Sequence, residues 1–250
     1  MADKIADPPA IISFTKTWHS KPYPFISPTR PELSASGKNV IVTGGGTGIG
    51  KAIAIAFAQA GAKSVAILGR RLDRLKTSAT AISAAASERT DVLYETADLM
   101  DRTQVDTALK SITDKVGKID IFVSNAGALP EPGPILGYNA ATFMRGFELN
   151  VLSAFNAIQA FMPLAGPEPV LLSISTASAH FAPMPGFAAY SASKAANLKM
   201  VDYLAAENPQ LHVVNIQPGW IPTEANGMRA EAPDVGMLLF HCLTRVSANS

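Results

Sequence analysis

The stretch Val40 to Lys51, VIVTGGGTGIGK, restricts the possible folds more than any other part of the chain. Val40, Ile41 and Val42 form a β-branched run suited to a buried strand, and Thr43 opens a segment with glycine at 44, 45, 46, 48 and 50. An apolar pattern with helical spacing, Ile49, Ile53, Ala54 and Phe57, begins inside that segment. A strand, a tight turn and a helix therefore follow one another directly. So sharp a turn needs positive φ, a pyrophosphate approaches backbone only where no Cβ intervenes, and close helix-on-strand packing leaves no room for a side chain. Gly44, Gly46, Thr47, Gly48, Ile49 and Gly50 are accordingly candidate phosphate-binding positions at a helix N-terminus, where free N–H groups and the helix dipole favour anions. The glycine spacing differs from the commonest dinucleotide fingerprint, so a glycine-rich surface loop is the competing reading of this stretch by itself.

Downstream of a helix expected to end near Gly61, Ser64 to Leu68 reads as a second strand, followed by Gly69-Arg70-Arg71. In a dinucleotide fold the tip of this strand meets the adenosine ribose, usually through an acidic residue. Arg70 stands there instead, beside Arg71, and a guanidinium can fork onto a 2′-phosphate, which points to NADP(H) over NAD(H). The competing reading has both arginines starting an exposed helix, with Leu72 and Leu75 inward and Arg74 and Lys76 outward. Val92 to Thr96 is a third strand; Asp98, beside Leu99, either accepts from an adenine amino group or caps the next helix in competition with Asp101. A helix over about 102–116 leads to a fourth strand, Ile119 to Val123, ending in Asn125-Ala126-Gly127, small enough for a cofactor to lie against. One long helix is expected over about 141–163. Within it the buried amide of Asn150 either braces backbone or holds water. Val170 to Ile174 and His212 to Gln217 complete six strands. The alternation of strand and helix implies a parallel sheet wound on both faces, with the ligand at the carboxyl ends of the strands, where Arg70, Asp98, Asn125 and Ser175 all fall.

Composition narrows the function classes. A chain of 250 residues with 48% hydrophobic and 16% charged residues supports one sizeable domain, residues 37–250, preceded by a proline-rich arm over residues 1–36. A net charge of +1 offers no general attraction to nucleic acid or acidic membranes. A single cysteine, Cys242, fits a reducing compartment, and no run reaches membrane-spanning length. A soluble, cytoplasmic protein without a metal centre is the expectation. The arm's aromatic residues Phe14, Trp18, Tyr23 and Phe25 suggest that part of it lies along the body.

Chemistry enters with Tyr190 and Lys194 in AYSASKAA, four apart on a helix and so on one face. A nearby ammonium favours tyrosinate and lowers the phenol pKa, making it a usable proton donor or acceptor. A hydroxyl from Ser175, Thr176 or Ser178 can hydrogen-bond a substrate oxygen as charge develops. The pair alone also suits an ordinary surface helix.

In order and spacing, TGGGTGIG, Asn125-Ala126-Gly127, Asn150, the hydroxyl-bearing strand end, YSASK and Pro218-Gly219 form a set. Over about residues 36–224 the chain resembles the short-chain dehydrogenase/reductase family of NAD(P)-dependent oxidoreductases. Within it the likeness is to a fungal branch with a proline-rich arm, many of whose members serve secondary metabolism. The resemblance implies a three-layer, Rossmann-like doubly wound parallel sheet with the cofactor pyrophosphate over Gly44 to Gly50. It implies that Tyr190 is the acid/base, that Lys194 binds the nicotinamide ribose and lowers the Tyr190 pKa, and that Asn150 holds a proton-relay water. It further implies that Ile221 and Thr223 contact the nicotinamide carboxamide, and that the chain forms a dimer or tetramer. Two departures stand out. The family serine position, 13 residues before the tyrosine, is Ala177, which leaves Ser175, ahead of Thr176 and Ser178, as the expected hydroxyl. After the sixth strand the chain carries no clear seventh, so the sheet's last edge is expected to be shortened.

The function expected is hydride transfer between NADP(H) and a secondary alcohol or ketone of a small apolar molecule, with Phe181, Met184, Phe187 and Trp220 suggesting an apolar pocket. A catalytically silent NADP(H)-binding regulatory protein is the alternative. A nucleotide-sugar epimerase or dehydratase is a third reading, less favoured because such chains usually add a larger C-terminal domain.

Overall fold

A computed structural model of the chain describes residues 23–86, 90–180, 183–219, 221 and 223. Phe14, Trp18, Phe181, Trp220, Cys242 and the C-terminal stretch where a seventh strand was sought lie outside the described residues.

Six parallel strands, β1 (Asn39–Thr43), β2 (Ser64–Gly69), β3 (Asp91–Thr96), β4 (Ile119–Ser124), β5 (Ala165–Ile174) and β6 (His212–Ile216), form one sheet in the order β3-β2-β1-β4-β5-β6. Burial on both faces explains the apolar runs. Val40 and Val42 of β1 and Val65 and Ile67 of β2 point to one face, while Ile41, Ala66 and Leu68 point to the other, as the two-residue period of a strand requires. The first face is covered by α1 (Gly48–Gln59) and α2 (Leu72–Ala85) through Ile53, Phe57, Leu75 and Ile82. The second is covered by α3 (Arg102–Val116), by α5 (Ser153–Phe161) and by Val201 of α6 (Ala188–Glu207). Phe122 of β4 stacks on Phe161 of α5 with ring centroids 4.7 Å apart. Each such fully buried side chain contributes about 1.5–3 kcal/mol.

Three expectations are corrected. The single helix over about 141–163 is instead α4 (Ala140–Phe147), a π-helical turn over Glu148–Leu152, and then α5. Hydrophobic periodicity does not reveal one extra residue in a turn, and such insertions cluster at functional sites. Leu72 is 46% exposed rather than inward, whereas Leu75 is fully buried. β5 begins at Ala165, five residues ahead of its apolar run, where Ala165 pairs with Ile119.

Part of the arm is attached to the body: Leu33 and Ala35 belong to the core, Ala35 N–H donates to the Ala60 carbonyl, and Ser36 bridges Ala62. None of the described helices is long and apolar enough to cross a membrane, and the described residues hold no cluster of metal-ligating side chains.

Candidate active site

The turn between β1 and α1 is held from both sides. Thr43 Oγ donates to the Val123 carbonyl (3.1 Å) and accepts from the Asn125 and Ala126 amides, while Asn125 Nδ2 donates to the Thr43 carbonyl (2.9 Å). The end of β1 is thereby joined to the end of β4. Gly44 has φ +67°, and a Cβ at Gly50 would lie 2.5 Å from Asn125 Nδ2 and 2.5 Å from the Gly44 carbonyl oxygen. Gly44, Gly50 and Asn125 thus form one interlocked unit. Gly45, which sequence reasoning passed over, packs on Ile67, where a Cβ would come within 2.4 Å of Cγ2. Gly46 and Gly48 face roomier surroundings. Among the described residues a Cβ at Gly48 would meet Thr223, with Cγ2 at 3.4 Å, so Thr223 is brought to the glycine turn, while Ile221 packs against the core. Thr47, the N-cap of α1, makes no side-chain hydrogen bond to the first helical amides. An uncapped helix N-terminus beside a backbone without Cβ atoms fits a diphosphate.

Arg70 and Arg71 are exposed at the end of β2, Arg71 at the N-cap position of α2. Arg74 is exposed, as its spacing on α2 implied, although its Cβ lies 3.5 Å from where a Gly46 Cβ would sit, and Ser78 Oγ donates to the Gly46 carbonyl (2.8 Å). The first turns of α2 therefore press against the glycine loop. At the end of β3, Asp101 and not Asp98 caps α3, accepting from the Thr103 and Gln104 amides. Asp98 Oδ1 accepts from the Met100 amide, and Leu99 is part of the core.

Asn150 sits in the π turn, buried. Its Oδ1 accepts from the Ala128 amide (2.8 Å), and its Nδ2 donates to the Ala128 carbonyl (2.9 Å) and to Ser193 Oγ (3.0 Å). The side chain braces backbone, the first of the two roles anticipated for it. Ser193 in turn donates to the Tyr190 carbonyl (2.8 Å), so Asn150 ties the end of β4 to α6 through a hydroxyl that sequence reasoning did not single out. The only signal for Ser193 was its small polar side chain one residue before Lys194. A Cβ at Gly127 would lie 2.8 Å from Asn150 Oδ1 and 3.4 Å from Lys194 Nζ, so these three positions converge. Small residues are needed here because an amide and an ammonium occupy the space.

Lys194 is buried, and its Nζ donates to the Ile174 carbonyl at the end of β5 (3.0 Å). Burial lowers its pKa from 10.5 to about 8. Tyr190 lies one turn earlier on the same face. Its pKa is raised, because burial outweighs a hydrogen bond from the Thr176 side chain that acts in the opposite direction. The expected lowering by Lys194 is thus not what dominates: the ammonium is directed to the Ile174 carbonyl, and desolvation of the phenol is the larger effect.

Of the three expected hydroxyls, Thr176 is the one whose side chain acts on the Tyr190 phenol, favouring its ionised form. Ser175 Oγ is buried without a hydrogen-bond partner among the described residues, while its amide donates to the Ile216 carbonyl (2.7 Å). Thr176 also accepts from the Ser178 amide at the head of the 3-10 turn Ala177–Ala179. Pro218 and Gly219 follow β6, and Gly219 adopts φ +82°.

The family of short chain dehydrogenases matches residues 38–234. The short chain dehydrogenase pigC of Monascus ruber is 30% identical over 98% of this chain and 82% of its own length. A short chain dehydrogenase/reductase of Claviceps purpurea is 32% identical over 85% of this chain and 72% of its own. Among solved structures, an alcohol dehydrogenase of Thermococcus sibiricus complexed with 5-hydroxy-NADP superposes with a TM-score of 0.76 at 24% identity, covering 85% of this chain and 92% of that one, a likeness of fold. A short chain dehydrogenase of Shigella flexneri complexed with NADP gives 0.75 at 26% identity, covering 86% and 93%. With its six-stranded Rossmann-like sheet and the family's match over most of its length, the chain belongs to the short-chain dehydrogenase/reductase family of NAD(P)-binding oxidoreductases.

Proposed function

We propose that the protein is an NADP(H)-linked enzyme interconverting a ketone and a secondary alcohol on a small apolar molecule, in fungal-type secondary metabolism. The observation that carries this reading is the Tyr190 and Lys194 pair at the carboxyl end of the sheet, a phenol met by the Thr176 hydroxyl and a buried ammonium one helical turn away. Residues 1–36 are read as an arm on a single cofactor-binding domain, 37–250. The proposed setting is cytoplasmic, with a second copy of the chain as the macromolecular partner.

The residues suit a nicotinamide dinucleotide. The Gly44 to Gly50 turn would hold the diphosphate, and Asn125, Ala126 and Gly127 offer a shelf of small residues. Asp98 and Leu99 would border the adenine end, Arg70 and Arg71 would receive the 2′-phosphate, and Pro218, Gly219, Ile221 and Thr223 would flank the nicotinamide end. When bound, the cofactor supplies or accepts the hydride. This chain's residues manage the substrate oxygen. Tyr190 Oη donates a proton to that oxygen in reduction and, as the phenolate, takes it back in oxidation; burial, which raises its pKa, favours the protonated form that donates. The Thr176 hydroxyl takes the place left open by Ala177, hydrogen-bonding the oxygen as charge develops, with Ser175 and Ser178 on either side. Lys194, fixed on the Ile174 carbonyl, supplies the nearby positive charge and a ribose contact, and Asn150 holds α6 and the Ala128 strand end in register for a proton relay.

A panel of ketones and secondary alcohols followed by nicotinamide absorbance tests this. The wild-type chain turns over at least one member with NADPH, and Tyr190→Phe lowers that rate by about 10²–10⁴-fold while still binding NADPH. Undiminished turnover in Tyr190→Phe overturns the mechanism. A wild-type chain that binds NADPH but is inactive across the panel supports the regulatory-binding reading, which Ala177 at the family's serine position favours.

A further inference from the structure

The segment leaving β4 and the segment entering α6 are joined by a backbone hydrogen bond whose surroundings bear on what can reach Tyr190. The first is anchored at its base, where Ala128 exchanges two hydrogen bonds with the Asn150 amide. Farther out, the Gly133 N–H donates to the Gly186 carbonyl (3.0 Å), four residues before Tyr190. Gly186 has φ +88°, a conformation other residues rarely adopt, so glycine is what lets its carbonyl face Gly133. At Gly133 a Cβ would lie 2.7 and 2.8 Å from Cδ2 and Cε2 of Tyr138, which means that the Tyr138 ring fills the space beside the bond. The Tyr138 hydroxyl donates to the Glu131 carbonyl, closing the segment on itself. The same ring stands edge-on to Phe143 (5.9 Å), and Phe143 packs on Phe147 (5.6 Å), the residue just before the π turn that carries Asn150. The chain of contacts thus runs from the Gly133–Gly186 bond back to the site's own brace.

Beyond Pro130, which is buried and packs against Gly146 of α4, the segment is mostly exposed. Between Ala128 and Tyr138 the only regular element is the 3-10 turn Ile135–Gly137, and Leu136 is fully exposed. Mostly exposed residues and, among the described residues, one backbone bond to the facing segment are the marks of a unit that opens locally at low cost.

We propose that the Gly133–Gly186 bond is a latch across the substrate entrance, and that Tyr138 is a specificity-determining residue because its ring holds the latch shut against bulky substrates. This rests on the reading of Tyr190 as the group that meets the substrate oxygen. With the ring in place the two segments form one narrow wall, and without it the wall parts and larger ketones reach Tyr190. Tyr138 touches neither the reacting atoms nor the cofactor turn, so it acts by positioning the wall.

The test compares wild type with Tyr138→Ala, Tyr138→Phe and Gly133→Ala, the last pushing a methyl into the ring. One readout is the ratio of kcat/KM for bulky against small ketones of one chemical series with NADPH. The other is hydrogen exchange of the 128–138 segment in the protein alone, which needs no turnover. Tyr138→Ala raises the ratio about three- to tenfold, chiefly through KM of the bulky members, and speeds exchange several-fold. Gly133→Ala does the same to a smaller degree, and Tyr138→Phe, which keeps the ring, restores the wild-type ratio. General destabilisation lowers kcat/KM for all ketones alike and leaves the ratio where it was. An unchanged ratio in an active Tyr138→Ala variant overturns the specificity role, and unchanged exchange overturns the latch itself. If the wild-type chain reduces no ketone, the proposed function fails, while exchange still decides whether Tyr138 holds the bond.

Discussion

The two ends of the sheet treat their polar groups in opposite ways. At the amino ends, Asn39 is engaged on all sides: its amide donates to Asp120 (2.8 Å), Nδ2 donates to the Val116 and Lys118 carbonyls, and Oδ1 accepts from Ser64 (2.9 Å). That network joins β1, β2 and β4 and leaves nothing for a ligand. At the carboxyl ends of neighbouring strands, Ser175 Oγ is buried without a partner, and Lys194 is buried with a depressed pKa and no ion pair among the described residues. Tyr190 there has a raised pKa. Groups left under-compensated in this way are held in place by the rest of the fold, and they collect where chemistry is done. One end of the sheet serves stability, and the other draws on it.

The contrast can be broken at either end. Asn39→Ala leaves two carbonyls and the Ser64 hydroxyl without their partner in a buried setting, and unfolding in urea should show a loss of about 3 kcal/mol with kcat retained. A loss confined to activity would reverse the assignment of the two ends. Lys194→Met acts in the opposite direction. Because the folded-state pKa is depressed from 10.5 to about 8, the unfolded chain binds the proton more tightly, so wild-type stability rises with pH across that window and carries the full penalty below it. The Met variant, free of that penalty, should be more stable than wild type by up to about 3 kcal/mol at pH 7, the gap closing as pH approaches 10.5, while turnover is lost. A gap that does not change with pH would show that Lys194 is not strained by its burial. The smallest effect is expected at the rim, where Arg70→Ala should raise the NADPH dissociation constant about tenfold and leave that of NADH nearly unchanged. Equal changes in both would remove Arg70 from the phosphate site.

The inner strands were legible as apolar runs because a parallel strand covered on both faces has no polar side, and Val40 to Val42 shows this in its simplest form, whereas the edge strand β3 keeps exposed polar residues. The glycine turn was legible because its backbone leaves no alternative residue at Gly44 and Gly50. The π turn at Glu148–Leu152 was not, since one inserted residue barely disturbs a 3.6-residue period. Nor was the outward Leu72, whose spacing on α2 matched the buried stripe although the helix begins at the rim of the sheet. Arg74 escaped attention because its nearness to Gly46 depends on how α2 docks.

By itself the sequence determined the order of the six strands, the glycine turn and the placing of Tyr190 and Lys194 one turn apart on α6, because local spacing and residue type suffice for each. Only the tertiary structure decided which hydroxyl meets the phenol. The strand end offers three within four residues, and it is the Thr176 side chain that acts on the Tyr190 phenol. It also decided the sign of the Tyr190 pKa shift, since the ammonium's effect depends on where Nζ points and how much water is excluded, and neither is written in a four-residue spacing.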